Sequence, residues 1–188
     1  AFTTAGVCAP SRAALITGVS QVSITAQHMR STAYRWPDGS DRAGYLATPP
    51  AYVKAFPELM RAVGYYTTNN AKTDYQFGSP FTIWDENGQE ADWRHRAEGQ
   101  PFFAMYSSIP THESGLFTPE SVAVGMPSAT AAAVALEERR AALAQRTRPE
   151  DVVMPPYYPD TPTVRADIAR HYDNIQLMDA WVGERMAE

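Results

Sequence analysis

The spacing of apolar and polar positions predicts an α/β chain. In Ala55–Gly64, Phe56, Leu59, Met60 and Val63 recur at helical spacing. Gly64 closes that helix, and the β-rich run YYTTN follows it. Helix, glycine, strand is the succession from which parallel sheets are built. PFFAMYSS, Pro101 to Ser108, predicts a second, buried strand. Near the start, Ala1–Val7 reads as a strand end running into a loop, and Ser11–Thr17 as a short helix. Pro10 suits that helix's first turn, where a missing N–H costs nothing, and Gly18 stops it. Ser128–Arg146 is rich in strong helix formers. Thr163–Glu188 reads as a long helix whose stripe of Ile168, Tyr172, Ile175, Met178, Val182 and Met186 faces a core. Residues 21–50 and 149–162 are loop by their polar, Gly and Pro content, and residues 83–99 read as a surface hairpin or loop. The Glu138–Arg140 charge cluster is assigned to a solvated helix face.

Composition narrows the functions. Hydrophobic residues make up 44% of the chain, an ordinary globular share, and the formal net charge is −5. No basic stripe with interleaved aromatics is present, which argues against nucleic acid as a partner. No apolar run reaches the length of a membrane span. The chain opens on AFTTAGVC without an initiator Met and stops inside a helical pattern, so a longer protein is expected, with residues 1–188 as an incomplete domain. The lack of a leader peptide then decides nothing about compartment. The single cysteine, Cys8, cannot form an internal disulfide.

Cys8 stands at a predicted helix N-terminus, where backbone N–H groups and the helix dipole favour negative charge. Arg12 adds a cation one turn along. A thiol so placed is expected to be acidic and reactive, and the same place could hold an oxyanion. A small buried residue at a strand–helix junction is the competing account.

The motif decides between them. Cys8-Ala9-Pro10-Ser11-Arg12, followed by Leu15, Thr17 and Gly18, resembles the signature of the type I sulfatases, Cys-x-Pro-Ser-Arg with a downstream Leu-x-Thr-Gly. The resemblance implies an alkaline-phosphatase-like three-layer sandwich with a mostly parallel sheet, here only in part. It implies that Cys8 is oxidised to formylglycine by a formylglycine-generating or anaerobic maturase enzyme that reads Cys8, Pro10, Ser11 and Arg12. The aldehyde's hydrate would then bind a divalent cation, usually Ca²⁺, through one hydroxyl and attack sulfur through the other. The sulfated intermediate expels sulfate and restores the aldehyde. The lone cysteine is, on this account, raw material for a nucleophile.

Other residues follow from the same resemblance. Arg12 would hydrogen-bond and position the formylglycine. Lys72, in NNAKTDY, matches the Lys of the family's Gly-Lys-x-His, with Asp74 standing where the His would be. His112, in PTHES after the second strand, matches a His that contacts the scissile sulfate and can protonate the leaving group. His28 is a candidate to line the pocket and replace the missing His, with Arg30 beside it as a weaker substrate contact. His95 and His171 are assigned no role, and Asp173-Asn174, inside the last helix, is not assigned to metal. The family's remaining calcium ligands find no match, since no Asp-Asp pair occurs and no Asp-His or Asp-Asn follows a strand. Residues 1–188 alone are therefore expected to be inactive.

The substrate implied is a sulfated small molecule or glycan, because NNAKTDY with THES looks more like arylsulfatase-A-like and heparan-N-sulfatase-like members than like phosphatases. The address implied is periplasmic or secreted. Two alternatives stay open: a phosphate or phosphonate ester hydrolase of the same superfamily, and a degenerate, non-catalytic sulfatase fold.

Overall fold

A computed structural model describes residues 3–29, 34–35, 39–42 and 44–188. The chain divides into two compact units, Ala1–Ser107 and Ser108–Glu188. Arg30 lies outside the described residues.

The first unit runs α1 (Cys8–Thr17), β1 (Tyr34–Arg35), β2 (Asp41–Arg42), α2 (Phe56–Ala62), β3 (Tyr66–Asn70), β4 (Glu86–Asn87) and β5 (Phe102–Tyr106). The predicted helix–glycine–strand unit and the second strand are both present. Strands β4, β3 and β5 form a parallel sheet in that order, with Tyr66 opposite Phe102 and Asn70 opposite Tyr106. Two short pairings depart from the loop readings. β1 and β2 make a two-residue antiparallel ribbon within 21–50. Glu86–Asn87 joins β3 in parallel, so residues 83–99 are no hairpin. Two residues cannot show a periodicity, which is why the sequence pattern passes over both.

Helix α1 begins at Cys8 itself and ends at Gly18, whose φ of 68° is the left-handed conformation that lets its N–H reach the Ala14 carbonyl at 2.8 Å. Its small residues Ala9, Ala13 and Ala14, with Ile16, are buried. Its Ala13 and Ile16 share a core with Ile24, Tyr75, Phe77, Ile83 and Trp84, joined by the partly buried Phe56, Phe103 and Met105. β3 is buried through polar side chains, of which Thr67 and the Asn69 amide nitrogen find partners. The Thr67 hydroxyl reaches the Ile83 carbonyl at 3.1 Å, and Asn69 Nδ2 donates to Asn87 Oδ1 at 2.7 Å.

The second unit is helical: α3 (Pro119–Gly125), α4 (Thr130–Ala141) and α5 (Pro162–Met186), with a 3₁₀ turn at Glu113–Leu116. Two expectations are corrected here. The stripe assigned to the core of α5 is largely exposed, with Met186 at 82%, and the buried face is Ala169, Asp173, Asn174 and Leu177. Arg140, assigned to a solvated face, is 1% exposed, while Glu138 and Arg139 are exposed as expected. In both cases a buried polar network decides which face turns inward. Arg140 Nη1 donates to Asn174 Oδ1 at 2.8 Å, and Asp173 accepts from the Thr147 amide at 2.8 Å and from Arg146 Nε at 3.1 Å.

A carboxylate cluster holds the edge of the sheet. Glu86 accepts from the Tyr66 hydroxyl at 2.7 Å and from the Asp92 amide at 3.0 Å, and His95 Nδ1 lies 2.9 Å from it. The Asp92 amide, then the phenol, hold the Glu86 carboxyl below its ordinary value. Burial, then Glu86, push the Tyr66 phenol up to about 12. The folded chain thus binds the Glu86 proton less readily than the unfolded chain does. This contribution to stability is complete above the ordinary carboxylate range and is lost as pH falls through the depressed value. Glu86→Gln is expected to flatten the acid limb of melting temperature against pH, and an unchanged acid slope would refute this role.

Candidate active site

Cys8 occupies the first turn of α1 and is half-buried, with Sγ 3.9 Å from Met29 Sδ. Arg12 lies one turn along the same helix face. Its Nε donates to the Thr73 carbonyl at 2.8 Å and its Nη2 donates to the Lys72 carbonyl. The guanidinium carbon sits 5.7 Å from the centre of the Tyr75 ring, and Nη2 is 3.9 Å from Met105 Sδ on β5. A planar fork with several donors suits two successive carbonyls in a way an ammonium does not. The helix carrying Cys8 is thereby tied to the loop carrying Lys72.

That loop is conformationally unusual. Asp74 and Gln76 have φ of 54° and 58°, in the left-handed region that non-glycine residues seldom adopt. Such backbone persists where its surroundings enforce it, and it gathers at functional sites. Lys72 Nζ lies 3.5 Å from Asp74 Oδ2, whose side chain is only 3% exposed. The residue standing where the family His would be is therefore the lysine's acidic partner. Burial pushes the Tyr75 phenol up, and the Arg12 guanidinium beside it opposes that shift.

His28 packs edge-on against Tyr45, with ring centres 5.9 Å apart, and its Nε2 is 3.3 Å from Gln27 Nε2. Its neighbour Met29 is the side chain of this loop that reaches the thiol.

His112 belongs to the second unit, where it caps the 3₁₀ turn at Glu113–Leu116. Its Nδ1 accepts from the Ser114 amide at 3.3 Å and lies 2.9 Å from Ser114 Oγ. A backbone N–H can only donate, so Nδ1 is the acceptor and neutral His112 carries its hydrogen on Nε2. The ring thus has one nitrogen fixed in the turn and an N–H for a partner.

Sequence reasoning brought Cys8, Arg12 and Lys72 forward, and the structure gathers those three, with Asp74, in the first unit. It did not bring forward Tyr75, Met29 or Met105. Tyr75 lies one residue past the quoted motif pair of Lys72 and Asp74, and Met105 sits on the predicted strand, so position alone could have pointed to both. Among the described residues no three His, Cys, Asp or Glu side chains gather into a set able to hold a metal ion.

No family model matches the chain. An ulvan-active sulfatase from Formosa agariphila is 40% identical to it over 196 residues, covering 97% of this chain. Over that span the chain is similar to a sulfatase. It spans 33% of the length of that curated protein. The Cys8 signature lies inside the matched span.

Removing the Arg12 fork should free the loop before it affects the rest of the unit. Arg12→Met is expected to cost about 1.5–3 kcal/mol of stability, the range for hydrogen bonds to a charged group. It should also speed amide hydrogen exchange across 71–76, with Arg12→Lys restoring only part of the protection. Unchanged exchange in that loop would show that Arg12 does not hold it.

Proposed function

We propose that this chain is part of the catalytic domain of a formylglycine-dependent sulfatase that removes sulfate from a sulfated glycan. The observation that carries the reading is Arg12, which joins the modification motif on α1 to the loop presenting Lys72. The relative's name places its activity on ulvan, and a sulfated glycan fits that kinship. The architecture proposed for the whole domain is the alkaline-phosphatase-like sandwich, of which the small parallel sheet is compatible as a part.

Cys8, with Pro10, Ser11 and Arg12, is the proposed substrate of a maturase. Once oxidised to the aldehyde, residue 8 supplies the hydrate hydroxyl for attack on sulfur. The roles of the other residues are those of this chain alone. Lys72 offers an ammonium to sulfate oxygens, held in place by Asp74 beneath it. Arg12 fixes the loop that sets the lysine's position. His112 offers its Nε2–H to the sulfate or the leaving oxygen, with Nδ1 anchored in the turn. His28 is proposed to line the pocket mouth beside Tyr45. A divalent cation at residue 8, Ca²⁺ by chemistry, is proposed to take its other ligands from outside residues 1–188. Residues 1–188 by themselves are therefore proposed to be inactive. The location proposed is periplasmic or secreted; no helix among the described residues is long and apolar enough to cross a membrane.

The test is chemical. In full-length protein produced alongside a maturase, the peptide holding residue 8 is expected to carry an aldehyde that couples to a hydrazide probe and shows the matching mass change. Cys8→Ala should remove both the label and sulfate release from a sulfated oligosaccharide. An intact thiol in active enzyme, or full sulfate release by Cys8→Ala, would overturn the reading. Turnover of a phosphonate monoester above that of any sulfate ester would move the enzyme to a sister activity.

A further inference from the structure

We propose that Arg140 and Asn174 are positioning residues for His112, acting through the carbonyl of Gly115. The proposal rests on the role given to His112 above. The imidazole is oriented by a turn, and the turn is gripped from beneath. Gly115 N donates to the His112 carbonyl at 2.8 Å, closing the turn on the histidine's own backbone. The Gly115 carbonyl then accepts from Arg140 Nη1 at 3.0 Å and from Asn174 Nδ2 at 3.2 Å. Those two side chains are bonded to each other at 2.8 Å, and both are essentially inaccessible to solvent.

The far edge of the guanidinium is held as well. Glu137 receives Arg140 Nε at 3.2 Å and Nη2 at 2.7 Å, and Arg170 Nη1 meets the same carboxylate at 2.7 Å. Hydrogen bonding from Arg140 holds the Glu137 carboxyl below its ordinary value. Gly115 has no spare room, since a Cβ there would lie 2.2 Å from the Pro110 carbonyl oxygen and 3.0 Å from Asn174 Nδ2.

Stability alone does not explain this arrangement. A buried guanidinium gains little over apolar side chains of the same volume. What it adds is direction, two hydrogen bonds of set length to one carbonyl three residues beyond His112. A turn pinned there keeps the Ser114 amide on Nδ1 and so keeps the hydrogen on Nε2, where the leaving oxygen needs it. Misplacing a reacting group by about 1 Å can cost about a hundredfold in rate.

The experiment is a double-mutant cycle in the full-length enzyme, with ¹⁵N spectra of the His112 ring as a second readout. Asn174→Asp keeps an acceptor for Arg140 but removes the donor to Gly115. Asn174→Ala and Arg140→Lys are the companion variants should it fold poorly. Each is expected to lower kcat by about ten- to a hundredfold with KM nearly unchanged, and to mix the ring tautomers of His112. In a His112→Ala background the same changes should add no further loss. Losses that add fully to that of His112→Ala, with the ring spectrum unaltered, would overturn the positioning role while leaving His112 in place. Full kcat in His112→Ala would instead remove the role of His112, and the clamp's catalytic purpose would go with it.

Discussion

A guanidinium wedged between a helix and a loop has to place its N–H groups somewhere, and Arg12 places them on two consecutive backbone carbonyls. Much of the first unit's local geometry depends on that solution. Just beyond those two carbonyls the chain turns, with Asp74 and Gln76 in left-handed conformations. The turn brings Asp74 beneath the Lys72 ammonium and lays Tyr75 under the arginine. The strain of two left-handed residues is offset by charge-assisted bonds in a half-buried setting, where they are worth more than in water. The separation between the Cys8 turn and the Lys72 backbone is then set by covalent dimensions, since Arg12 is one helical turn from the first and bonded to the second.

The second unit solves a related problem with a more deeply buried arginine. Arg140 divides its donors between a carboxylate, an amide oxygen and a backbone carbonyl, so no part of the cation is left without a partner. Asp173 and Asn174, adjacent on α5, project about 100° apart around the helix. They therefore hold different segments, Asp173 the chain at 146–147 and Asn174 the turn at Gly115. Buried polar residues here act as locators for loops that have few apolar contacts of their own.

This explains what could be read from the sequence and what could not. Helix α1 was legible because Pro10 and Gly18 mark its ends, and β3 and β5 because each is an apolar or β-branched run of useful length. The place of Lys72 just after β3 was legible because the strand itself was. Arg140 was not, because an arginine two residues from a glutamate in an alanine-rich helix has the composition of a solvated face. Its burial comes from Asn174 and Gly115, which are distant in sequence. The α5 stripe failed for the same reason. Apolar spacing identifies the face that could be buried, but the hydrogen bonds made at Asp173 and Asn174 determined which face is.

The central strand shows why such a polar scaffold suits a site. Thr67, Thr68 and Asn69 are all essentially buried, yet an apolar strand would bury more hydrophobic area in the same space. What the polar residues add is lateral fixation. Asp85 accepts from the Thr67 amide at 2.8 Å while also pairing with Arg61 at 2.8 Å, and Asn69 is bonded to Asn87. The strand cannot slide against β4 without breaking these bonds, and the parallel ladder to β5 continues one residue beyond the sheet, where the Ser107 amide reaches the Asn70 carbonyl at 3.0 Å. The two strands therefore leave the sheet at the same level, at the carboxyl ends where open α/β folds place their chemistry. Lys72 departs from a mount that is short but held on both sides, which is what the role proposed for it, meeting charge that develops on a reacting oxygen, would require.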